Sequence, residues 1–80
     1  MYQKTTPELI PPRIVSKAWA AAWGKAPPIG ANPIPGNLYI QLRDSRLGLW
    51  QIVFQWGMVV DGEDWRYGPL DPVFYHWEEQ

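Results

Sequence analysis

The chain has 80 residues, with no cysteine, nine prolines, seven glycines and six tryptophans, and its net charge is −1 at pH 7. This length allows one domain, because single cores become common only at about 100–150 residues. The lack of cysteine excludes disulfide scaffolds, thiol catalysis, iron–sulfur clusters and cysteine-ligated zinc. A pI of about 5.6 argues against a protein whose main task is to neutralise phosphates.

The chain shows no targeting or membrane signal. Its first eight residues contain no apolar run of the kind found in secretory signals. The longest apolar stretches, such as residues 18–23, are far shorter than the roughly 20 residues of a membrane helix. We therefore expect a protein of the cytoplasm or of a soluble assembly, without a membrane partner.

Aromatic residues form 15% of the chain. An enclosed aromatic side chain buries about 150–250 Å². At about 25 cal/mol per Å², these rings make the largest single favourable contribution to folding. A domain of this size has too little interior to enclose all of them, so we expect about two-thirds in the core. The remaining rings should face water, a partner protein or a second copy of the chain.

One helix is predicted in the N-terminal part, from Arg13 to Trp23. Pro12 suits the first helical position, and Gly24 is expected to end the helix in the left-handed conformation. The spacing of the apolar residues predicts one stripe along this helix, which should pack on the rest of the fold. The stripe consists of Val15, Ala18, Trp19, Ala22 and Trp23.

Two proline-rich segments flank this helix. Before it, Thr6 is a candidate cap for a short turn over residues 7–10, and Pro11 limits the length of that turn. After it, residues 25–36 are rich in proline and glycine and favour an extended connector. Two interpretations of the connector stay open: a strap over the sheet, or an arm that reaches a neighbouring molecule.

From Leu38 onwards the apolar pattern has period two. Residues 38–42 and 49–56 predict two strands joined by a turn at 44–48. Gly57 is the predicted bulge or bend, and Asp61-Gly62 predicts a second turn. Residues 65–67 and 73–77 predict further strands. The alternation places Leu38, Ile40 and Leu42 on one face of the first strand. It places Trp50, Ile52, Phe54 and Trp56 on one face of the second strand.

These elements predict an α+β fold, with one N-terminal helix packed on a small antiparallel meander of three to five strands. We expect a single domain over residues 1–80. Residues 1–37 form the helix and the proline-rich strap in this prediction, and residues 38–80 form the sheet.

Charge is distributed unevenly along the chain. Residues 1–50 hold six basic and two acidic side chains, whereas residues 51–80 hold one basic and six acidic side chains. If the two halves lie apart in space, the acidic end suits a basic partner surface. If they interleave, the charges only keep the surface solvated.

Few residues suit catalysis. His76 is the only histidine, which excludes a metal cage built on several histidines. Ser16 and Ser45 lack the context of an activated nucleophile, and no phosphate-binding glycine loop occurs. The acidic cluster at residues 61–64 lacks the spacing of a calcium loop. We therefore expect no enzyme, no cofactor and no bound metal.

Aromatic and acidic residues of the second half favour a protein partner, because aromatic side chains are common anchors of interfaces. The candidate contacts are Trp65, Tyr67, Tyr75 and Trp77 with Asp61, Glu63, Asp64, Glu78 and Glu79. We predict a non-enzymatic module that occupies a surface of a larger protein or assembly, as an inhibitor or a small subunit. A narrower version is an acidic mimic of nucleic acid. Phages and mobile elements encode many short acidic accessory proteins of this kind.

Two alternatives remain at this stage. The first hairpin supplies a candidate nucleic-acid face, formed by Tyr39, Arg43, Arg46 and Trp50. Nucleic acid is the less favoured partner, because most rings lie in the acidic half of the chain. Self-association is the other alternative, since a second copy would also cover surplus apolar surface.

Overall fold

One helix packs on a four-stranded antiparallel sheet, which confirms the predicted α+β fold. The computed structural model describes residues 1–79. The sheet has the order β1-β4-β3-β2, and every neighbouring pair is antiparallel. The elements are β1 (Tyr2–Lys4), a short 3₁₀ helix (Pro7–Leu9), α1 (Pro12–Gly24), β2 (Leu38–Asp44), β3 (Gly48–Asp61) and β4 (Asp64–Trp77).

Strand β1 was not expected from the sequence. It pairs with the last residues of β4, with Tyr2 opposite Trp77. Two backbone hydrogen bonds extend this pairing: the Met1 amino group donates to the Glu78 carbonyl, and the Glu78 N–H donates to the Met1 carbonyl, each at 2.7 Å. The sheet therefore includes residues from the part of the chain that was assigned to the helix and strap.

Helix α1 begins at Pro12, as predicted. Ile14, Ala18 and Ala22 are completely buried, so the buried stripe has a spacing of four and is centred one residue earlier than predicted. Gly24 is the last helical residue, but its φ is not positive, so the predicted left-handed ending is wrong. A tightened last turn takes its place, in which the Lys25 N–H donates to the Ala22 carbonyl at 3.1 Å.

The 3₁₀ helix before α1 begins without a side-chain cap. Thr6 stands at its N-cap position, but the Thr6 side chain makes no capping hydrogen bond. The Thr6 carbonyl instead accepts the Leu9 N–H at 2.9 Å.

The core lies between α1 and the sheet, and the residues that the alternation groups on one face of each strand supply most of the contribution from β2 and β3. Leu38, Ile40, Trp50, Ile52 and Phe54 are buried there. Leu42 and Trp56 pack at its margin. Because the buried helix residues at positions 18 and 22 are alanines, the helix lies close to the sheet and the interior is small. Of the twelve aromatic residues, Trp50, Phe54 and Phe74 are buried in the core, and Trp19 and Trp56 pack against it, which is fewer than the predicted two-thirds.

The irregularity in the β3–β4 pairing is not at Gly57. Val53 pairs with Val73 and Gln55 pairs with Leu70, so two residues of β4, at positions 71 and 72, lie opposite one residue of β3. Asp71 has φ 52°, a conformation that aspartate tolerates better than most residues, and Pro72 has no N–H for the ladder. The bulge therefore belongs to β4, and Gly57 lies within a continuous strand.

Beyond this bulge the sheet narrows to two strands. β2 stops pairing with β3 at Phe54, and β1 reaches β4 only at residues 75–77. Residues 55–70 therefore form a two-stranded hairpin that projects from the four-stranded part, and we call it the distal ribbon. The molecule is accordingly elongated, with extents of 44 × 23 × 20 Å. Neither helix in residues 1–79 has the length and apolar character needed to cross a membrane.

Candidate protein-binding surface

The distal ribbon has two faces of different character. Cross-strand pairing joins Met58 to Tyr67, and Val60 to Trp65, and these residues share one face because side chains alternate along a strand. The other face carries the glycine pair Gly57 and Gly68. We call the first face the apolar face; its members are Trp56, Met58, Val60, Trp65, Tyr67 and Pro69.

The end of helix α1 covers the glycine face. A β-carbon built on Gly68 would lie 2.6 Å from Cη2 of Trp23 and 3.0 Å from Cγ2 of Val59. The Arg66 guanidinium lies over the same indole, 5.2 Å from the ring centroid. Gly68 therefore gives Trp23 the space to rest directly on the backbone of the ribbon. This contact attaches the ribbon to the rest of the fold.

The apolar face is partly buried near the four-stranded part of the sheet and exposed near the tip of the ribbon. Trp56 and Tyr67 stack with their ring centroids 5.7 Å apart and their planes at 17°. Towards the tip, Met58, Val60 and Trp65 expose 56%, 60% and 65% of their surface. Three large apolar side chains at adjacent cross-strand positions form one exposed apolar patch.

The proline-rich connector lies against the distal ribbon. Arg66 Nη2 donates to the Pro27 carbonyl at 3.1 Å, and the Tyr67 hydroxyl donates to the Ile34 carbonyl at 2.9 Å. A cavity of about 210 Å³ opens between connector residues 27–33 and the ribbon residues Met58 and Trp65. The connector thus contacts residues of both faces and borders the exposed patch.

The tip of the ribbon is acidic. Asp61, Glu63 and Asp64 are all exposed there. Arg66 is the basic residue of this hairpin, and its Nη1 lies 3.4 Å from an Asp61 carboxylate oxygen. The carboxylates of Glu63 and Asp64 form no ion pair with any residue from 1 to 79. The exposed apolar patch therefore ends in a surplus of negative charge.

The predicted partner contacts divide into two groups. Trp65, Tyr67 and the acidic residues 61–64 lie together on the distal ribbon. Tyr75, Trp77, Glu78 and Glu79 lie at the opposite end of β4, up to about 40 Å away at about 3.3 Å per residue. Trp77 packs edge-on against Tyr2 there, with ring centroids 5.1 Å apart. The nine residues do not form one surface.

The predicted nucleic-acid face contains one incorrect member. Trp50 is only 3% exposed, its Nε1 donates to the Leu47 carbonyl at 2.7 Å, and its ring lies 4.4 Å from that of His76. The period-two alternation turns Trp50 towards the helix and turns Tyr39 and Arg43 away from it. Trp50 therefore does not stack on a base, whereas Tyr39, Arg43 and Arg46 are exposed.

An ionic cluster that the sequence did not indicate joins the helix to the first hairpin. The Asp44 carboxylate, 3% exposed, accepts hydrogen bonds from Arg13 Nη2 at 2.8 Å and Lys17 Nζ at 2.7 Å. The backbone N–H groups of Arg46 and Leu47 donate to it at 2.9 Å. The Arg13 guanidinium, then Lys17 and these N–H groups hold the pKa of Asp44 well below its usual value. From the sequence, Asp44 was expected only as part of the turn at residues 44–48.

The acidic and basic halves of the chain separate only at the ribbon tip. At the other end, the His76 ring contacts both the Leu47 carbonyl and a Glu78 carboxylate oxygen, at 3.1 and 3.0 Å. This places the acidic C-terminal residues beside the hairpin turn that carries Arg46. The charges interleave there, and the tip is the acidic end of the molecule.

Within residues 1–79 no three side chains of His, Asp or Glu lie close enough together to hold an ion. No protein-family model, curated protein or solved structure matches the chain.

Proposed function

We propose that this protein is a non-enzymatic protein-binding module whose distal ribbon occupies a surface of a larger protein, as an inhibitor or a small assembly subunit. The observation that carries the proposal is the exposed patch of Met58, Val60 and Trp65. Tryptophan and methionine are enriched in the cores of interfaces, and tryptophan is one of the residues enriched among hot spots. Burial of this patch by a partner would remove apolar surface that the fold of the module leaves in water.

The way the ribbon is attached supports this role. Trp23 rests on Gly68, and Arg66 and Tyr67 hold the connector through hydrogen bonds to its carbonyl groups. A surface fixed before binding loses little conformational entropy when the complex forms, which raises affinity. Trp65 is thus an anchor on a prearranged support.

The acidic tip indicates the kind of surface that the ribbon fits. Glu63 and Asp64 are exposed beside the apolar patch, and a basic partner surface would complement them. A partner that normally holds nucleic acid is one such surface, and an inhibitor would then act as an acidic mimic. Association should consequently slow as salt increases, because screening weakens attraction between charges that are far apart.

Capture experiments with matched variants test the proposal. The bait proteins are the wild type, Trp65→Ala and, as the control, Tyr39→Ala, which removes an equally exposed ring on the four-stranded part. We expect a specific protein to bind the wild type and the Tyr39 variant but not the Trp65 variant. If the Trp65 variant captures the same proteins in the same amounts, the ribbon is not the binding surface.

The captured protein should then be purified and titrated with the three baits. A hot-spot ring contributes about 2 kcal/mol or more, so Trp65→Ala should weaken binding by about 30-fold or more. Charge reversal of Glu63 and Asp64 to lysine should lower the association rate and its dependence on salt. Unchanged rates would remove the acidic tip from the proposal.

A further inference from the structure

The four-stranded part of the sheet has one covered face and one open face. Helix α1 packs on the face that carries Ile40, Ile52 and Phe74. On the opposite face, none of the strand residues is buried. The pairing register places Gln41, Gln51, Tyr75 and Lys4 in one row across all four strands. Such a row spans about 14 Å, since neighbouring strands lie about 4.8 Å apart.

The open face combines aromatic rings with cationic and amide side chains. Tyr39 is 60% exposed and Trp77 is 40% exposed, and Tyr75 lies between them on the sheet. Arg43 and Lys4 are exposed at the two outer strands, and no described ion pair within residues 1–79 includes either of them. A polar cavity of about 340 Å³ opens beside Arg43 and Gln41.

The charge on this face differs from that of the whole chain. The strand positions of the open face carry no carboxylate, although the net charge of the protein is −1. Asp44 and Glu78 directly follow the open-face residues in the sequence, but the Asp44 carboxylate contacts helix residues Arg13 and Lys17, and the Glu78 carboxylate contacts His76. A face with free cations and no acid complements an anionic ligand.

We propose that this open face binds single-stranded nucleic acid. Exposed rings on a sheet provide stacking platforms for unpaired bases, amide side chains offer donors and acceptors to base edges, and a few cations neutralise the backbone. Two free cations are too few for the phosphate contacts on which duplex binding depends. This site lies on a different surface from the distal ribbon and does not depend on the function proposed for it.

Fluorescence anisotropy with labelled oligonucleotides tests this site. The probes are 12-nucleotide oligo(dT) and oligo(U), and the competitor is an unlabelled duplex of the same length. Tyr39→Ala should weaken binding by about 5- to 150-fold, the usual effect of a stacking ring. Tyr39→Phe keeps the ring and should bind like the wild type. Arg43→Ala should reduce the slope of log affinity against log salt by about 0.7, corresponding to one phosphate contact.

The control for this experiment is Trp65→Ala, which should leave oligonucleotide binding unchanged because Trp65 lies on the distal ribbon. Urea unfolding of every variant shows whether the fold is retained. Absence of binding at about 1 mM protein in low salt would overturn the proposal, since even non-specific binding has dissociation constants of about 10⁻⁴–10⁻⁶ M. Loss of binding in Trp65→Ala but not in Tyr39→Ala would also overturn it.

Discussion

The contact between Trp23 and Gly68 predicts that the cost of an alanine at position 68 depends on whether the Trp23 ring is present. In the wild type, Gly68→Ala places a methyl group 2.6 Å from the Trp23 ring, so the ring or the ribbon must move. Overpacking of this kind costs about 1–3 kcal/mol. A domain of 80 residues has a free energy of unfolding of about 4–12 kcal/mol, so this loss is easily measured.

In a Trp23→Ala background the nearest remaining atom of those that the methyl group meets is Val59 Cγ2, at 3.0 Å, and a shift of a few tenths of an ångström relieves this contact. Alanine is favoured over glycine in a strand by about 0.5–1 kcal/mol, because glycine loses more backbone entropy on folding. Gly68→Ala should therefore cost less in the protein that lacks the ring than in the wild type. The difference between the two costs is the coupling free energy of positions 23 and 68, which should be about 1–3 kcal/mol because the ring is the main obstacle to the methyl group.

Urea unfolding of the four proteins measures this coupling. With a slope of about 1 kcal/mol per molar urea for a small domain, Gly68→Ala should lower the midpoint by about 1–3 M. Gly24→Ala is the matched control, because a β-carbon there meets nothing within 4 Å and the residue is helical. A cost for Gly68→Ala that is equal in both backgrounds would refute the packing of Trp23 on the ribbon.

Three further substitutions test other parts of the fold. Asp44→Asn should lower the urea midpoint at pH 7. The pKa of Asp44 is lower in the folded protein than in the unfolded chain, so the contribution of its carboxylate to stability is complete above about pH 5 and declines below about pH 4. The variant should therefore lose less stability than the wild type on acidification. An unchanged acid profile would contradict the ionic cluster. Phe54→Ala should cost about 3–5 kcal/mol in urea unfolding, since Phe54 is fully buried against Trp19, and a cost below about 1 kcal/mol would contradict this packing. Trp50→Phe keeps an aromatic ring but removes the N–H that donates to the Leu47 carbonyl. The free energy of unfolding should therefore fall by about 0.5–1.5 kcal/mol beyond any change in packing. A variant as stable as the wild type would contradict this hydrogen bond.

Local sequence patterns predicted the helix and the core strands because a helical or alternating pattern depends only on residues that are close together in the sequence. Alternation in residues 38–56 places a side chain on one face or the other whatever the partner strand is. The same rule groups Trp50 with Ile52 and Phe54, which are buried, so Trp50 does not belong to an exposed nucleic-acid surface. Tyr39 and Arg43, which have the opposite parity, are exposed.

Features that depend on pairing between strands could not be read in this way. β1 has three residues and no alternating pattern, and it exists because the end of β4 supplies its partner. The bulge is signalled by Asp71-Pro72, but its place in the register requires the opposite strand. Closeness in sequence also misled the choice of site, since Trp65 and Trp77 share one strand and lie at its two ends.

The ionic cluster and the two glycine contacts were missed for a related reason. Asp44 is separated from Arg13 by 31 residues, and no sequence pattern connects them. Gly57 was interpreted from its flexibility, whereas its position requires space: a β-carbon there would lie 2.5 Å from Cδ2 of Leu70. Both features depend on which surfaces the fold brings into contact.

Fluorine NMR of the protein labelled with 5-fluorotryptophan tests the central claim most directly, with Trp→Phe variants to assign the six tryptophan signals. In the free protein, the Trp65 signal should show the largest shift between H₂O and D₂O, because Trp65 is the most exposed of the six tryptophans. On addition of the protein captured by the wild type, Trp65 should lose this solvent shift while Trp50 keeps its free-state signal. A Trp65 signal that stays exposed in the saturated complex would contradict the role of the ribbon.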